Sequence, residues 1–141
     1  MTFPLAGLLR VRGAQERVAA ERLSRATAER TQTEAAEQDV RSSLAELGAQ
    51  VGDAQTLLAM AAARAAGRSA LSDLQALTEL HRTAEDEAKG AHIKARRELK
   101  GLERLETTHR VEAVRADLAA EQNTLDEIAV ARAVRGEGSA A

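Results

Sequence analysis

Leu5, Leu9, Arg12, Glu16, Ala19, Leu23, Ala26, Arg30, Thr33, Glu37, Val40, Leu44, Leu47 and Val51 recur at alternating spacings of four and three. That is the period of a coiled-coil seam on a helix. The row is apolar at both ends and polar between Ala26 and Glu37. The polar middle weakens the seam and marks local flexibility or a polar crossing; the plain reading is a solvated stretch within a long helix. Leu8, Val11 and Val18 form a neighbouring row, so the apolar stripe there is broad enough to meet more than one surface. A second long helix, Ser72 to about Arg135 without proline, carries Leu74, Leu77, His81, Ala84, Ala88, Ala91, Ala95, Glu98, Leu102, Leu105 and His109 at the same spacing. Val111, Val114, Leu118, Glu121, Leu125 and Ile128 then resume it, read as a slightly rotated face after a stutter. At 1.5 Å per residue this helix would run on the order of 95 Å, and only another long helix could cover its stripe.

The breakers set the connections. Met1-Thr2-Phe3-Pro4-Leu5 puts the one proline in or just before a first helical turn, where its missing N–H costs nothing. Gly48 and Gly52 end the first helix, and Gly67-Arg68-Ser69 precedes the second. Between them Asp53 to Ala66, alanine-rich with Leu57, Leu58 and Met60, predicts a short helix folded back near the tip. Ser72-Asp73-Leu74-Gln75 fits a capping box. Gly90 and Gly101 lie inside the second helix as close-approach points, mild bends or tolerated residues, each costing about 1 kcal/mol against alanine.

The expected fold class is therefore all-α: a long antiparallel two-helix coiled-coil hairpin with a short helical segment near the tip. It forms one elongated domain, 1–141, with helix 1 at about 4–47, a tip at about 48–71, helix 2 at about 72–135 and a frayed tail at 136–141. Helices of about 45 and 60 residues leave roughly the last 15 of the second projecting. Leu118, Leu125 and Ile128 on that projection are unsatisfied apolar surface and predict binding. The seam to His109 holds the hairpin, and the shifted stripe from Val111 to Ile128 partly serves a partner.

Composition narrows the class. Hydrophobic residues reach 44% mainly through alanine and aromatics only 1%, so the chain is poor material for a globular core and strong material for helix. Twenty basic and 22 acidic residues give a formal charge of -2, which supplies no general attraction to nucleic acid or anionic lipid. With no cysteine there is no disulfide framework, thiolate site or cysteine nucleophile. The longest apolar run, Leu57 to Ala63, is far shorter than the roughly 20 residues that span a bilayer, and Arg10 and Arg12 interrupt the N-terminal apolar segment. The expectation is a soluble, cytoplasmic protein.

Catalysis has no visible basis, because a two-helix hairpin offers no concave, partly dry site. His81, His92 and His109 are too far apart to put two ligands on one helical turn; Glu106 stands three before His109, but no second such pair accompanies it. No metal or cofactor is expected, and His81 and His109 read as half-buried seam residues. No glycine pattern forms a phosphate loop, and Ser42, Ser43, Ser69 and Ser72 have no accompanying base. Lys89, Lys94, Arg96, Arg97, Lys100 and Arg104 make a basic block cut by Glu98 and Glu103. It reads first as a solvated face with i to i+4 pairs, next as a contact for an acidic protein surface, and last as a nucleic-acid site, which the missing aromatics disfavour.

The ends of the chain carry a resemblance. Phe3-Pro4-Leu5-x-x-Leu8-Leu9-x-x-Arg12, followed by Glu16, Ala19-Ala20 and Leu23, resembles the N-terminus of the FliJ family of the bacterial flagellar type III export apparatus. Leu102-x-x-Leu105-Glu106, His109-Arg110, Glu121, Leu125-Asp126-Glu127-Ile128-Ala129 and Arg132 are similar to its C-terminal half. The alanine-rich stretch from Gly48 to Ala70 lacks the aromatic residues some relatives have near the tip. The resemblance implies a non-enzymatic, stalk-like coiled coil similar to the central stalk subunit of rotary ATPases. It would bind and stimulate a hexameric FliI-like export ATPase, contact a FlhA-like export-gate protein and escort export chaperones, reaching the inner face of the cell membrane only through those partners. On that basis Leu5, Leu8, Leu9, Arg12, Glu16, Leu118, Glu121, Leu125, Asp126, Glu127 and Arg132 are the ATPase-end candidates, and Val40, Leu44, Leu47, Leu71, Leu74 and Leu77 the export-gate candidates. The competing readings are a generic coiled-coil scaffold and a secretion chaperone without an ATPase partner.

Overall fold

A computed structural model describes residues 2–49 and 52–138. Val51, the last position of the first row, lies outside the described residues, as do Met1 and the tail residues 139–141. The described chain is helical: α1, Ala6–Glu46, a 3₁₀ turn, Leu47–Ala49, and α2, Ala54–Gly138. No described helix is long and apolar enough to cross a membrane. Two compact units emerge, unit 1 from Met1–Gly13 with Arg97–Ala141 and unit 2 from Ala14–Arg96, and α1 and α2 contribute to both.

Phe3 and Leu5 carbonyls accept the N–H groups of Ala6 and Leu9 at 3.1 and 2.9 Å, so Pro4 and Leu5 form the turn that leads into α1 at Ala6. The start of α2 corrects the sequence reading. There is no separate tip helix and no capping box at Ser72; α2 begins at Ala54 and runs without a break through Gly67-Arg68-Ser69. Its cap is Asp53, whose Oδ1 accepts the Thr56 N–H at 2.8 Å and the Thr56 hydroxyl at 2.7 Å. Those two bonds, the backbone one foremost, hold the Asp53 carboxyl below its ordinary range. A Cβ on Gly52 would stand 2.7 Å from Thr56 Cγ2, so the glycine leaves room for the capping turn. The alanine-rich stretch is good helix, and one glycine costing about 1 kcal/mol does not stop it. Gly67 serves packing instead: a Cβ there would lie 2.5 Å from Leu44 Cδ2, so its missing side chain is the seat of Leu44.

In unit 2, Glu16 faces His92, Arg30 faces Glu85, Glu37 faces Thr78 and Leu44 faces Gly67. Residue numbers rise along α1 as they fall along α2, the connectivity of a helical hairpin. The α1 seam is the one the spacing predicts: Glu16, Ala19, Leu23, Ala26, Arg30, Thr33, Glu37, Val40, Leu44 and Leu47 are all buried or half-buried. The α2 seam differs at every second position. Leu71, Leu74, Thr78, His81, Glu85, Ala88, His92 and Ala95 point inward, whereas Leu77, Ala84 and Ala91 are exposed. Hydrophobicity had selected the apolar neighbour one residue away from a polar side chain that has a partner across the hairpin.

That exchange also reverses the reading of the polar middle. Thr33, Glu37, Thr78 and Glu85 are 7, 6, 2 and 6% exposed, so this stretch is a polar crossing and not a solvated interval. Glu85 accepts from Arg30 Nε at 2.5 Å and from Thr27 Oγ1 at 3.1 Å, with Lys89 at 3.5 Å. Glu37 accepts from the Thr78 hydroxyl and from Arg41 at 2.8 Å. Arg82 adds an outer pair to Glu34 at 3.2 Å. No buried side-chain nitrogen or oxygen among the described residues lacks a hydrogen bond, which is what lets charged groups sit in so thin an interior.

In unit 1, Arg12 Nη1 donates to Glu98 Oε2 at 2.6 Å, and the Phe3 and His109 rings meet at 5.5 Å, tilted by 57°. Leu102 is buried, and Leu99, Glu106, His109 and Ala113 are half-buried, so the inward row again takes the neighbour of a residue the spacing had chosen: Glu106 replaces Leu105.

Gly90 and Gly101 have nothing within 4 Å of an added Cβ, so neither is a close-approach point among the described residues. Gly90→Ala and Gly101→Ala are each expected to raise the thermal transition, by about 0.5–1 kcal/mol of stability, as followed by circular dichroism.

Candidate functional site

The ATPase-end candidates fall into three groups. In unit 1, Leu5 and Leu8 are exposed at 40 and 42%, Leu9 is half-buried, and Arg12 is held by Glu98. Glu16 belongs to unit 2, where its carboxylate lies 2.9 Å from His92 Nε2 and helps close the hairpin. The third group is the end of α2. Every residue from Val114 to Gly138 is exposed, including Leu118 at 59%, Leu125 at 60%, Glu121, Asp126, Glu127 and Arg132. No described part of the chain covers this stretch, which is longer than the projection expected from helix lengths.

The stripe on it does not continue the seam on a slightly rotated face. Val111 stands two residues before the half-buried Ala113, and 100° per residue puts it about 200° round the helix. Val114, Leu118, Glu121, Leu125 and Ile128 follow it at threes and fours, a spacing that drifts about 20° per seven residues, so the stripe starts on the side turned away from the inward row and winds gradually round the helix. Asp126 and Glu127 share a shallow groove with Asn123, Val130 and Ala131, where Gln122 Nε2 donates to Asp126 Oδ1 at 3.0 Å. Val130 and Val134, 63 and 64% exposed, were not among the candidates, although their spacing of four beside Glu127 was the available signal.

The export-gate candidates divide differently. Val40, Leu44 and Leu47 line an apolar groove with Ala63, Ala66, Gly67 and Ala70. Leu71 and Leu74 are half-buried in the seam, while Leu77 faces out, 40% exposed. Leu57, Leu58 and Leu80, at 56, 76 and 68%, are more open than any of them and were not chosen.

The basic block does not form the expected series of i to i+4 pairs. Lys89 reaches Glu85, but Lys94, Arg96, Arg97, Lys100 and Arg104 are exposed and have no ion pair among the described residues. No group of three or more His, Asp or Glu side chains among the described residues could hold a metal ion. The geometry offers ridges, grooves and charged rows, which are means of protein recognition.

A family model described as flagellar FliJ protein matches residues 1–138. No curated protein and no solved structure matches the chain.

Proposed function

The chain belongs to the flagellar FliJ protein family, a family of the flagellar export apparatus, and from that premise we propose that it is an antiparallel two-helix coiled coil that binds and stimulates the hexameric export ATPase. It is not itself an enzyme in this reading, and it works in the cytoplasm, reaching the membrane only through partners. The observation that carries the proposal is the end of α2: from Val114 to Gly138 a helix with an apolar stripe has no covering element among the described residues. Leu5 and Leu8, also exposed in unit 1, supply further apolar contact area. The groove around Leu44 and Leu47, with Leu77 outside it, is the contact for the export-gate protein, and export chaperones are the remaining partner class.

The test is the hydrolysis rate of the cognate export ATPase with and without this protein. Stimulation is expected, and Asp126→Lys with Glu127→Lys is expected to remove most of it while leaving helicity unchanged, since neither carboxylate makes an interhelical contact. An unaltered rate together with no detectable binding would overturn the proposal; full stimulation by the reversed variant would remove those two residues from it.

A further inference from the structure

The apolar stripe at the end of α2 is the middle of a longer row. Arg97, Lys100, Arg104, Thr107 and Val111 each stand two residues before Leu99, Leu102, Glu106, His109 and Ala113, which are buried or half-buried in unit 1. Two residues are about 200° of helix, so this row lies on the side of α2 turned away from the inward one. Continued at threes and fours it runs through Val114, Leu118, Glu121, Leu125 and Ile128 to Arg132 and Arg135, and every member is exposed. Its apolar middle is therefore flanked by three cations on one side and two on the other. None of the five has an ion pair or side-chain hydrogen bond among the described residues.

We propose that this row docks one amphipathic helix of a partner protein, apolar in its middle and acidic at both ends. The alternating spacing drifts by about 20° per seven residues on a straight helix, so the docked helix would coil left-handed around α2. Charge excludes the simplest other occupant. In a parallel pair of chains each cation of the row meets its own copy, and in an antiparallel pair Arg97 meets Arg135 and Lys100 meets Arg132. Both arrangements set like charges opposite one another, which acidic ends on a partner reverse. The proposal extends the reading of the α2 end as a binding surface by naming the chemistry of what binds, and it holds whether or not that partner is the ATPase.

The probe is a pair of synthetic helical peptides with one apolar core, one carrying glutamate at both ends and the other lysine at the same positions, titrated against the full-length protein. The glutamate peptide is expected to bind at least about tenfold more tightly at low salt, and to lose that advantage as salt rises. Arg97→Glu with Lys100→Glu and Arg104→Glu should lower its affinity by a similar factor and raise that of the lysine peptide, with helicity unchanged. Leu118→Asp with Leu125→Asp should weaken both peptides. Equal affinity for the two peptides, indifference to the triple reversal, or no binding of either would overturn the proposal. So would sedimentation showing a dimer that Leu118→Asp abolishes, or binding to vesicles of anionic lipid that the triple reversal abolishes while peptide binding is untouched. ATPase stimulation measured on the same variants keeps the two readings separate, since either can fail without the other.

Discussion

A chain ending at Arg115 is expected to keep its hairpin contacts and lose the stimulation of the export ATPase proposed for the full chain. The interhelical contacts of unit 2 lie between Ala14 and Arg96, and those of unit 1 reach Ala113, the last residue of α2 that is even half-buried. Residues 116–138 bury no side chain against another described element, so their removal sacrifices little transfer free energy on folding. A helix without a partner is marginal in water even when rich in alanine, which means that this end contributes helicity more than stability. Circular dichroism should show a smaller helical signal with the cooperative melting transition retained. The same chain should no longer stimulate hydrolysis, having lost Leu118, Leu125, Ile128 and the Asp126–Glu127 groove. Loss of the transition would mean that the end of α2 belongs to the folded core, and retained stimulation would place the ATPase contact elsewhere.

From Leu9 to Leu47 the α1 row was legible to the residue because its polar members are the ones that face inward: Arg12, Glu16, Arg30, Thr33 and Glu37 all fall on the predicted spacing, and only its first member, Leu5, turns out exposed among the described residues. The α2 row was legible in period and wrong by one residue at alternate positions. Periodicity fixes the spacing of a seam, but the choice between Leu77 and Thr78, or Ala84 and Glu85, depends on what stands opposite. Glu37 and Arg30 stand opposite, and a single helix read alone does not contain that information. The same limit explains Gly67 and Ser72, which look like a helix boundary in isolation. Gly67 is a packing site for Leu44, and Asp53 with Thr56 had already supplied the cap. The exposed end of α2 was foreseen because it follows from unequal helix lengths. The outward turn of its stripe follows from a count of two residues between Val111 and Ala113 and was available in the sequence once the inward row was correctly placed.

Glu85→Lys is expected to cause a large loss of stability in unit 2, and Arg30→Glu in the same chain to restore much of it. Glu85, 6% exposed, accepts from Arg30 and Thr27 and lies 3.5 Å from Lys89. A lysine in its place faces Arg30 and Lys89 and leaves Arg30 only its outer partner, Glu34, at 2.7 Å; a buried charge stripped of its partner is far more costly than an exposed pair is valuable. The swapped chain again sets opposite charges across the hairpin, so recovery distinguishes charge pairing from mere bulk. Acid gives an independent reading of the same crossing. The Arg30 hydrogen bond, and then Thr27, hold the Glu85 carboxyl below its ordinary value of 4.5, and the Thr78 hydroxyl, and then Arg41, do the same for Glu37. A carboxyl whose folded pKa is depressed stabilises the fold fully above its unfolded value and loses that contribution as pH falls through the folded one. The melting temperature should therefore be flat from neutral pH to about 5 and decline below about 4.5, with a shallower decline in the Glu85→Lys chain, where Glu37 and the Asp53 cap are the depressed carboxyls that remain. A decline of the same steepness in both chains, or a swap that recovers nothing, would show that the crossing is held by packing around Thr33 and Thr78 and not by the Arg30–Glu85 pair.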